Sequence, residues 1–316
     1  MGRAVKRNHY RFQIQGPKAK DVIEKLNGGP IPEIKFFFMD EINIGGRKVR
    51  ALRHGMAGEP GLEIWGPYEE YLEIREIILE AGKEFGLTPV GSRAYASNTL
   101  ESGWIPSPLP AVYSDDRMKS YREWLPAMAM KPLARSPAAS SPTTIEDYYS
   151  NPYELGYGPF IKFDHDFIGA DALKAMQGQT HRRKVTFAWN GEDIQKTYDC
   201  LFTPGSEIYK YFETPIGNYG SSSFDKVLDK NGKTVGLSMF SGYSANERQA
   251  LSLGVVDADV EEGEVLTLIW GEPGGTKKLT SEKHVPLEVR VKVSPVPFAR
   301  DARETYAQGW RTKQPA

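Results

Sequence analysis

The chain has 316 residues, 40% of them hydrophobic and 26% charged, a balance that describes an ordinary globular protein with room for two or three domains. Its formal charge of -1 gives no electrostatic reason to expect nucleic acid or an anionic membrane as a partner. One cysteine, Cys200, excludes internal disulfides and thiolate metal clusters.

No apolar run approaches the ~20 residues needed to span a bilayer. The opening MGRAVKRNHYRFQIQG has two basic clusters and no apolar stretch, so a secretory signal is not expected. Lys6 stands where a myristoylation signal needs Ser or Thr. The cytoplasm is the expected compartment.

In chain order, YRFQIQG (10–16) alternates like a strand and stops at Gly16-Pro17. In the next segment Val22, Ile23 and Leu26 have helical spacing, Pro17 opens the helix and Gly28-Gly29 stops it. Ile34–Asn43 and Arg47–His54 read as strands joined by a hairpin turn at Gly45-Gly46.

GEPGLEIWG (58–66) is a further strand after a tight turn. Leu62 and Ile64 share one face, Glu63 and Trp65 the other. PYEEYLEIREIILEAGKEFG (67–86) is an amphipathic helix with Tyr71, Ile74, Ile78 and Phe85 on one stripe. This alternation predicts an α+β sandwich with helices on one sheet face.

From residue 91 the text changes. GSRAYASNTLESGWIPSPLP begins as a short helix and ends in Pro106, Pro108 and Pro110. Residues 131–152 are rich in Pro, Ser and Ala and read as a surface loop or linker. FIKFDHDFIGADALKAMQG (160–178) reads as a strand-like piece turning into a helix, with Asp171 in its first turn.

Beyond His181, five short strand patterns separated by turn signals predict a separate antiparallel barrel or sandwich. Asn190-Gly191 and Asn231-Gly232 are hairpin-grade dipeptides.

The chemistry-bearing residues are sparse. Five scattered histidines offer no pair at metal-ligand spacing, and His165 in FDHDF reads as part of a solvated turn. Cys200 has no neighbouring histidine and reads as a buried, inert thiol. GEPGG (271–275) follows a strand but opens no helix, so it reads as a hairpin loop and not a phosphate loop. On spacing alone, Tyr95 and Trp104 read as core aromatics and Glu63 as a solvated strand carboxylate.

Four motifs in order change that balance. Gly58, Gly61 and Glu63 fit G-x-x-G-x-E. GSRAYASNTLESG keeps Arg93 of a G-x-R motif, and DFIGADAL (166–173) is intact. GKTVGLSMFSGYSANERQALSLGVVDADVEEGEVLTLIWG, with VKVSPVPFARD after it, completes the set. Together they resemble the glycine-cleavage T-protein (aminomethyltransferase) family of tetrahydrofolate-dependent C1-transfer proteins, from about residue 10 to 301. RAYASNTLESGWIPSPLPAVY is similar to one branch, the tetrahydrofolate-dependent O-demethylases acting on vanillate, syringate or 3-O-methylgallate.

The resemblance implies an α+β fold: folate-binding α/β domains over 1–178, a C-terminal antiparallel β-barrel over 179–300, and a tail over 301–316. It implies tetrahydrofolate as cofactor and a small methoxy-aromatic acid as substrate, with no metal, nucleic acid or membrane involved. Glu63 would bind the pterin as a carboxylate fork and Trp65 would help wall the ring. Tyr95 would be catalytic, and Arg93, Trp104 and Arg248 would belong to the cofactor-binding site. For Arg248, in the loop YSANERQAL, a surface arginine is the plain alternative.

Family members begin well before this sequence does, so a large N-terminal segment carrying substrate contacts is expected to be missing. A separate N-terminal fragment or a second copy of the chain is the partner this implies. Transfer of the aminomethyltransferase type from another methylated donor, and a non-catalytic folate-binding fragment, are the alternatives.

Overall fold

A computed structural model of the chain describes residues 6–55, 59–106, 113–124, 145–216, 224–272 and 282–304. Gly58, Pro108, Pro110, residues 131–144 of the Pro/Ser-rich segment, residues 273–275 of GEPGG and most of the expected tail lie outside the described residues. The chain divides into two compact units, one of residues 1–102 with 299–316 and one of residues 103–298.

The first unit is a four-stranded antiparallel sheet with helices packed on one face. Its strands are β1 (His9–Gln15), β2 (Met39–Ile44), β3 (Arg47–Leu52) and β4 (Gly61–Pro67), in the order β1-β4-β3-β2. Helix α1 (Ala19–Asn27) turns its buried Ala19, Val22, Ile23 and Leu26 to the sheet. Pro17 precedes the helix and is not its first residue.

At the far end of α1, Gly28 adopts φ 78°. Its N–H donates to the Lys25 carbonyl at 3.2 Å, and the Gly29 N–H to the Glu24 carbonyl at 3.0 Å. This is a Schellman stop, which a residue with a Cβ enters only at a cost. Helix α2 (Tyr71–Gly82) is flanked by the 3₁₀ turns Tyr68–Glu70 and Lys83–Phe85, so residues 67–86 are a composite of helical types.

The period-2 reading of β4 holds. Leu62 and Ile64 are fully buried with Ile14, Ile23, Ile44, Ala51 and Ile74, and Glu63 and Trp65 point to the opposite face. Across the ladder Gln13 and Leu52 lie opposite Glu63, and Arg11 and Arg50 lie opposite Trp65. Gly61 is required by close approach, because a Cβ there would meet the Ile14 carbonyl oxygen at 2.2 Å.

The expected strand over 34–43 is shorter. Residues 36–38 form a turn with Phe37 at φ 61°, stitched by the Phe37 N–H to the Arg53 carbonyl (2.8 Å) and the Arg53 N–H to the Phe38 carbonyl (3.1 Å). Phe36, Phe37, Phe38 and Met39 are all exposed. Helix α3 (Ser92–Ser102) and a short helix Arg300–Glu304 complete the unit.

The second unit contains the short helix α4 (Lys119–Trp124), α5 (Ala170–Met176) and the closed barrel. Residues 161–169 form no strand, against expectation. Phe163 and Phe167 are half-buried and stack on each other at 6.2 Å, Ile168 is fully exposed, and Gly169 at φ 94° caps α5.

The barrel strands are β5 (Arg183–Trp189), β6 (Phe224–Leu228), β7 (Thr234–Ser244), β8 (Gln249–Val256), β9 (Val265–Trp270) and β10 (Leu287–Ser294). They close in the order β10-β5-β8-β7-β6-β9, every pair antiparallel. The interior is filled by Phe187, Val227, Leu268, Val289 and Val291, with Trp189 and Trp270 in edge contact at 5.2 Å.

Asn231-Gly232 turns between β6 and β7 as expected, with Gly232 at φ 80°. Asn190-Gly191 does not make a hairpin. It opens helix α6 (Gly191–Asp199), with the Asn190 side-chain oxygen accepting the Asp193 N–H at 3.1 Å. Asparagine suits both turns and helix N-caps, and here the cap prevails. Cys200, just past α6, is buried, and its thiol donates to the Thr197 carbonyl. His165 and Asp164 pair at 2.8 Å with both side chains exposed.

Candidate active site

Glu63 is buried on the face of β4 opposite the helices. Two groups hold it. His54 Nε2 lies 2.5 Å from Oε2, and Arg11 Nε lies 2.7 Å from Oε1. The Arg11 contact is an ion pair without hydrogen-bond alignment, so Oε1 is a buried acceptor with no hydrogen bond of its own. Such an atom carries a desolvation cost that a ligand N–H would relieve.

The ladder register explains how distant residues meet here. β1 is antiparallel to β4, which brings Gln13 opposite Glu63 and Arg11 opposite Trp65. The Arg11 guanidinium lies 6.0 Å from the Trp65 ring centroid. His54 follows β3 by two residues, where the Gln15 side-chain amide donates to its carbonyl at 3.1 Å.

Tyr95 lies in the first turn of α3, one turn before the buried Thr99, whose hydroxyl donates to the Tyr95 carbonyl at 3.2 Å. It is 43% exposed, which overturns the reading of Tyr95 as a core aromatic. Burial pushes its phenol above the ordinary tyrosine range, and the Glu63 charge pushes it further the same way. Both effects keep the hydroxyl protonated, as a hydrogen-bond or proton donor must be.

Tyr95 lines a cleft of about 960 Å³ whose walls also include Arg11, Gln13, Tyr71, Arg75 and Asn98. Glu63 itself is not among the lining residues, whereas its partner Arg11 is. The charged residues of the lining are Arg11, Lys18 and Arg75, all cationic, which suits an anionic ligand.

The remaining candidates divide between the two units. Arg93 is exposed at the start of α3, two residues before Tyr95. Trp104 and Arg248 belong to the second unit. Trp104 is 39% exposed, again not a core aromatic, and Arg248 is exposed at φ 51° in the turn between β7 and β8.

Sequence reasoning missed Arg11 and His54. The signal for His54 is its place just past the end of a strand, immediately ahead of the glycine-rich stretch GMAGEPG (55–61) that precedes Glu63. The signal for Arg11 exists only once β1 and β4 are paired. Among the described residues no cluster of His, Cys, Asp and Glu is arranged to hold a metal, and no helix is long and apolar enough to cross a membrane.

Comparison with known proteins agrees with these motifs. Residues 3–107 match the GCVT N-terminal domain. Syringate O-demethylase from Sphingobium sp. (strain NBRC 103272 / SYK-6) is 43% identical over 98% of this chain and 67% of its own length. Sesamin methylene transferase from Sinomonas sp. (strain No.22) is 30% identical over 92% of this chain and 65% of its own. Aminomethyltransferase from Caldanaerobacter subterraneus subsp. tengcongensis is 34% identical over 72% of this chain and 49% of its own. The chain therefore spans 49% to 67% of the length of these relatives. With identity of this level across nearly its whole extent, the chain belongs to the glycine-cleavage T-protein (aminomethyltransferase) family.

Proposed function

We propose that the chain takes part in tetrahydrofolate-dependent O-demethylation, in which the methyl group of a methoxylated aromatic acid of the vanillate, syringate or 3-O-methylgallate type passes to N5 of folate. The observation that carries this reading is the buried carboxylate of Glu63, with Oε1 lacking a hydrogen bond, whose charge adds to burial in raising the Tyr95 phenol. The identity to a syringate O-demethylase over 98% of the chain supports the aryl-ether branch.

Tetrahydrofolate supplies the nucleophilic nitrogen that receives the methyl group. The residues of this chain do the rest. Glu63 accepts the N–H groups of the pterin edge, with Oε1 the oxygen that lacks a hydrogen bond and Oε2 already held by His54. Tyr95 donates its hydroxyl hydrogen toward the ether oxygen, where negative charge develops as the methyl leaves. A positioned acid of this kind is typically worth ~10²–10⁴ in rate. The cationic lining of Arg11, Lys18 and Arg75 attracts the carboxylates that folate and an aromatic acid both carry. Arg93, Trp104 and Arg248 are assigned to cofactor binding on their motif positions.

Calorimetric titration of the chain with tetrahydrofolate, beside Glu63→Ala, tests this reading. Micromolar binding (about -8 kcal/mol) in the parent, lost in the variant, is the expected result. Binding unchanged in Glu63→Ala, or absent from both, overturns it. With binding in hand, vanillate and syringate are screened for methyl transfer by chromatography of the folate product.

A further inference from the structure

Glu63 is held unequally by its two partners. The Arg11 side chain is 72% exposed and badly aligned, so it holds the carboxylate weakly and leaves it easily. The His54 side chain is only 12% exposed, and its Nε2 meets Oε2 at 2.5 Å. A carboxylate only accepts hydrogen bonds, so Nε2 must carry a hydrogen and be the donor.

His54 is held through its own backbone and that of its neighbour, and one aromatic ring lies beside the imidazole. The His54 backbone carbonyl accepts from the Gln15 side chain at 3.1 Å. The Phe37 ring lies 6.0 Å away at 30°, in the left-handed backbone conformation that aims it there. Arg53, the preceding residue, is tied through both its backbone groups to the 36–38 turn. A non-glycine residue at positive φ is a local strain, and such strain persists where the surroundings demand it.

We infer that His54 is the positioning residue of this site: its Nε2–H locks Oε2 of Glu63, so that Oε1, covered in the free protein by the exchangeable Arg11, is presented to the ligand. This rests on the folate reading of Glu63 and adds a second residue to it. The arrangement resembles the outer shell of many binding sites, where a buried partner fixes the group that touches the ligand.

The test uses the whole chain with His54→Ala and His54→Gln. The glutamine amide nitrogen reaches nearly the same point as Nε2 and donates there without the imidazole ring. Titration with tetrahydrofolate should show His54→Ala weakened about tenfold or more. His54→Gln should stay within about threefold of the parent, although both variants lose the ring packing against Phe37. Equal affinity in His54→Ala and the parent, or equal weakening in both variants, overturns the positioning role.

A second measurement does not depend on folate. In ¹⁵N-histidine-labelled protein, the His54 resonances should show a slowly exchanging proton on Nε2, and that protection should be lost in Glu63→Ala. The Nδ1–H tautomer overturns the inference. A parent chain that binds no tetrahydrofolate fails the folate reading alone, and the Nε2 proton still decides whether His54 holds Glu63.

Discussion

The phenol of Tyr95 senses the carboxylate of Glu63. Tyr95 comes from the first turn of a helix and Glu63 from the middle of a strand, 32 positions earlier in the chain, and the negative charge of one adds to burial in raising the proton affinity of the other. The base-like group that suits a pterin thus also keeps the candidate acid protonated.

Because that coupling is electrostatic, neutralising Glu63 should lower the Tyr95 titration. The alkaline ultraviolet difference spectrum of Glu63→Gln, with Tyr95→Phe marking the contribution of this one phenol, reads the shift. An unchanged or upward midpoint contradicts it. In methyl transfer, Tyr95→Phe should lose ~10²–10⁴ in kcat while the affinity for tetrahydrofolate stays within about threefold. A large loss of affinity instead would make Tyr95 a binding residue.

Gly61 is a geometric requirement of the β1–β4 pair. An alanine Cβ would fall 2.2 Å from the Ile14 carbonyl, and backbone must move to admit it. Gly61→Ala should cost about 2 kcal/mol or more, in the range of overpacked core substitutions. Urea unfolding followed by circular dichroism measures this, and a cost under 0.5 kcal/mol would mean that the strands part freely.

Asn190 should behave as a helix cap and not as a turn residue. Its side-chain oxygen accepts from the Asp193 N–H and from Arg290 at 3.0 Å. Asn190→Ala should destabilise the barrel unit by about 1 kcal/mol, whereas Asn190→Asp or Asn190→Ser should recover most of it. Thermal melts of the three variants distinguish a cap from a hairpin position.

Glu272 gives the barrel unit an acid sensitivity. Burial alone would raise its carboxyl, but the hydrogen bond from His284 at 2.9 Å and the Lys210 charge overcome this and hold it at about 2. A folded-state value below the unfolded one stabilises above the unfolded carboxyl range, and that stability disappears as pH falls toward the folded value. The loss should fall between about pH 4.5 and 2 and reach up to about 3 kcal/mol. Urea midpoints from pH 7 downward should drop less steeply in Glu272→Gln than in the parent. Parallel slopes would place the acid sensitivity elsewhere.

Much of the architecture is legible in short stretches because local chemistry dictates it. Gly28-Gly29 and Gly45-Gly46 supply positive φ where a helix stops and a hairpin turns. The alternation of Leu62, Glu63, Ile64 and Trp65 sorts itself into two faces without any knowledge of the partner strands. The misreadings come from residues that serve two local structures. Asn190-Gly191 suits a hairpin or a cap, and its flanking strand does not settle which. Residues 34–38 and 160–166 are rich in apolar and aromatic residues that look strand-forming, yet the first folds into a turn tied to Arg53 and the second joins no sheet among the described residues.

The candidate site divides along the same line. Sequence determined that a carboxylate stands on the face of β4 away from the helices, that an arginine and a tyrosine open α3, and that the motifs carrying them belong to one family. Only the tertiary structure decided that Glu63 is buried, that Arg11 and His54 are its partners, and that Tyr95 feels its charge. The physical reason is range. Turn and alternation signals act over two to five residues, while the pairing of β1 with β4 joins Arg11 to a strand that begins 50 positions later. The electrostatic environment of a carboxylate is set by whatever the fold brings within a few ångströms, from any distance along the chain.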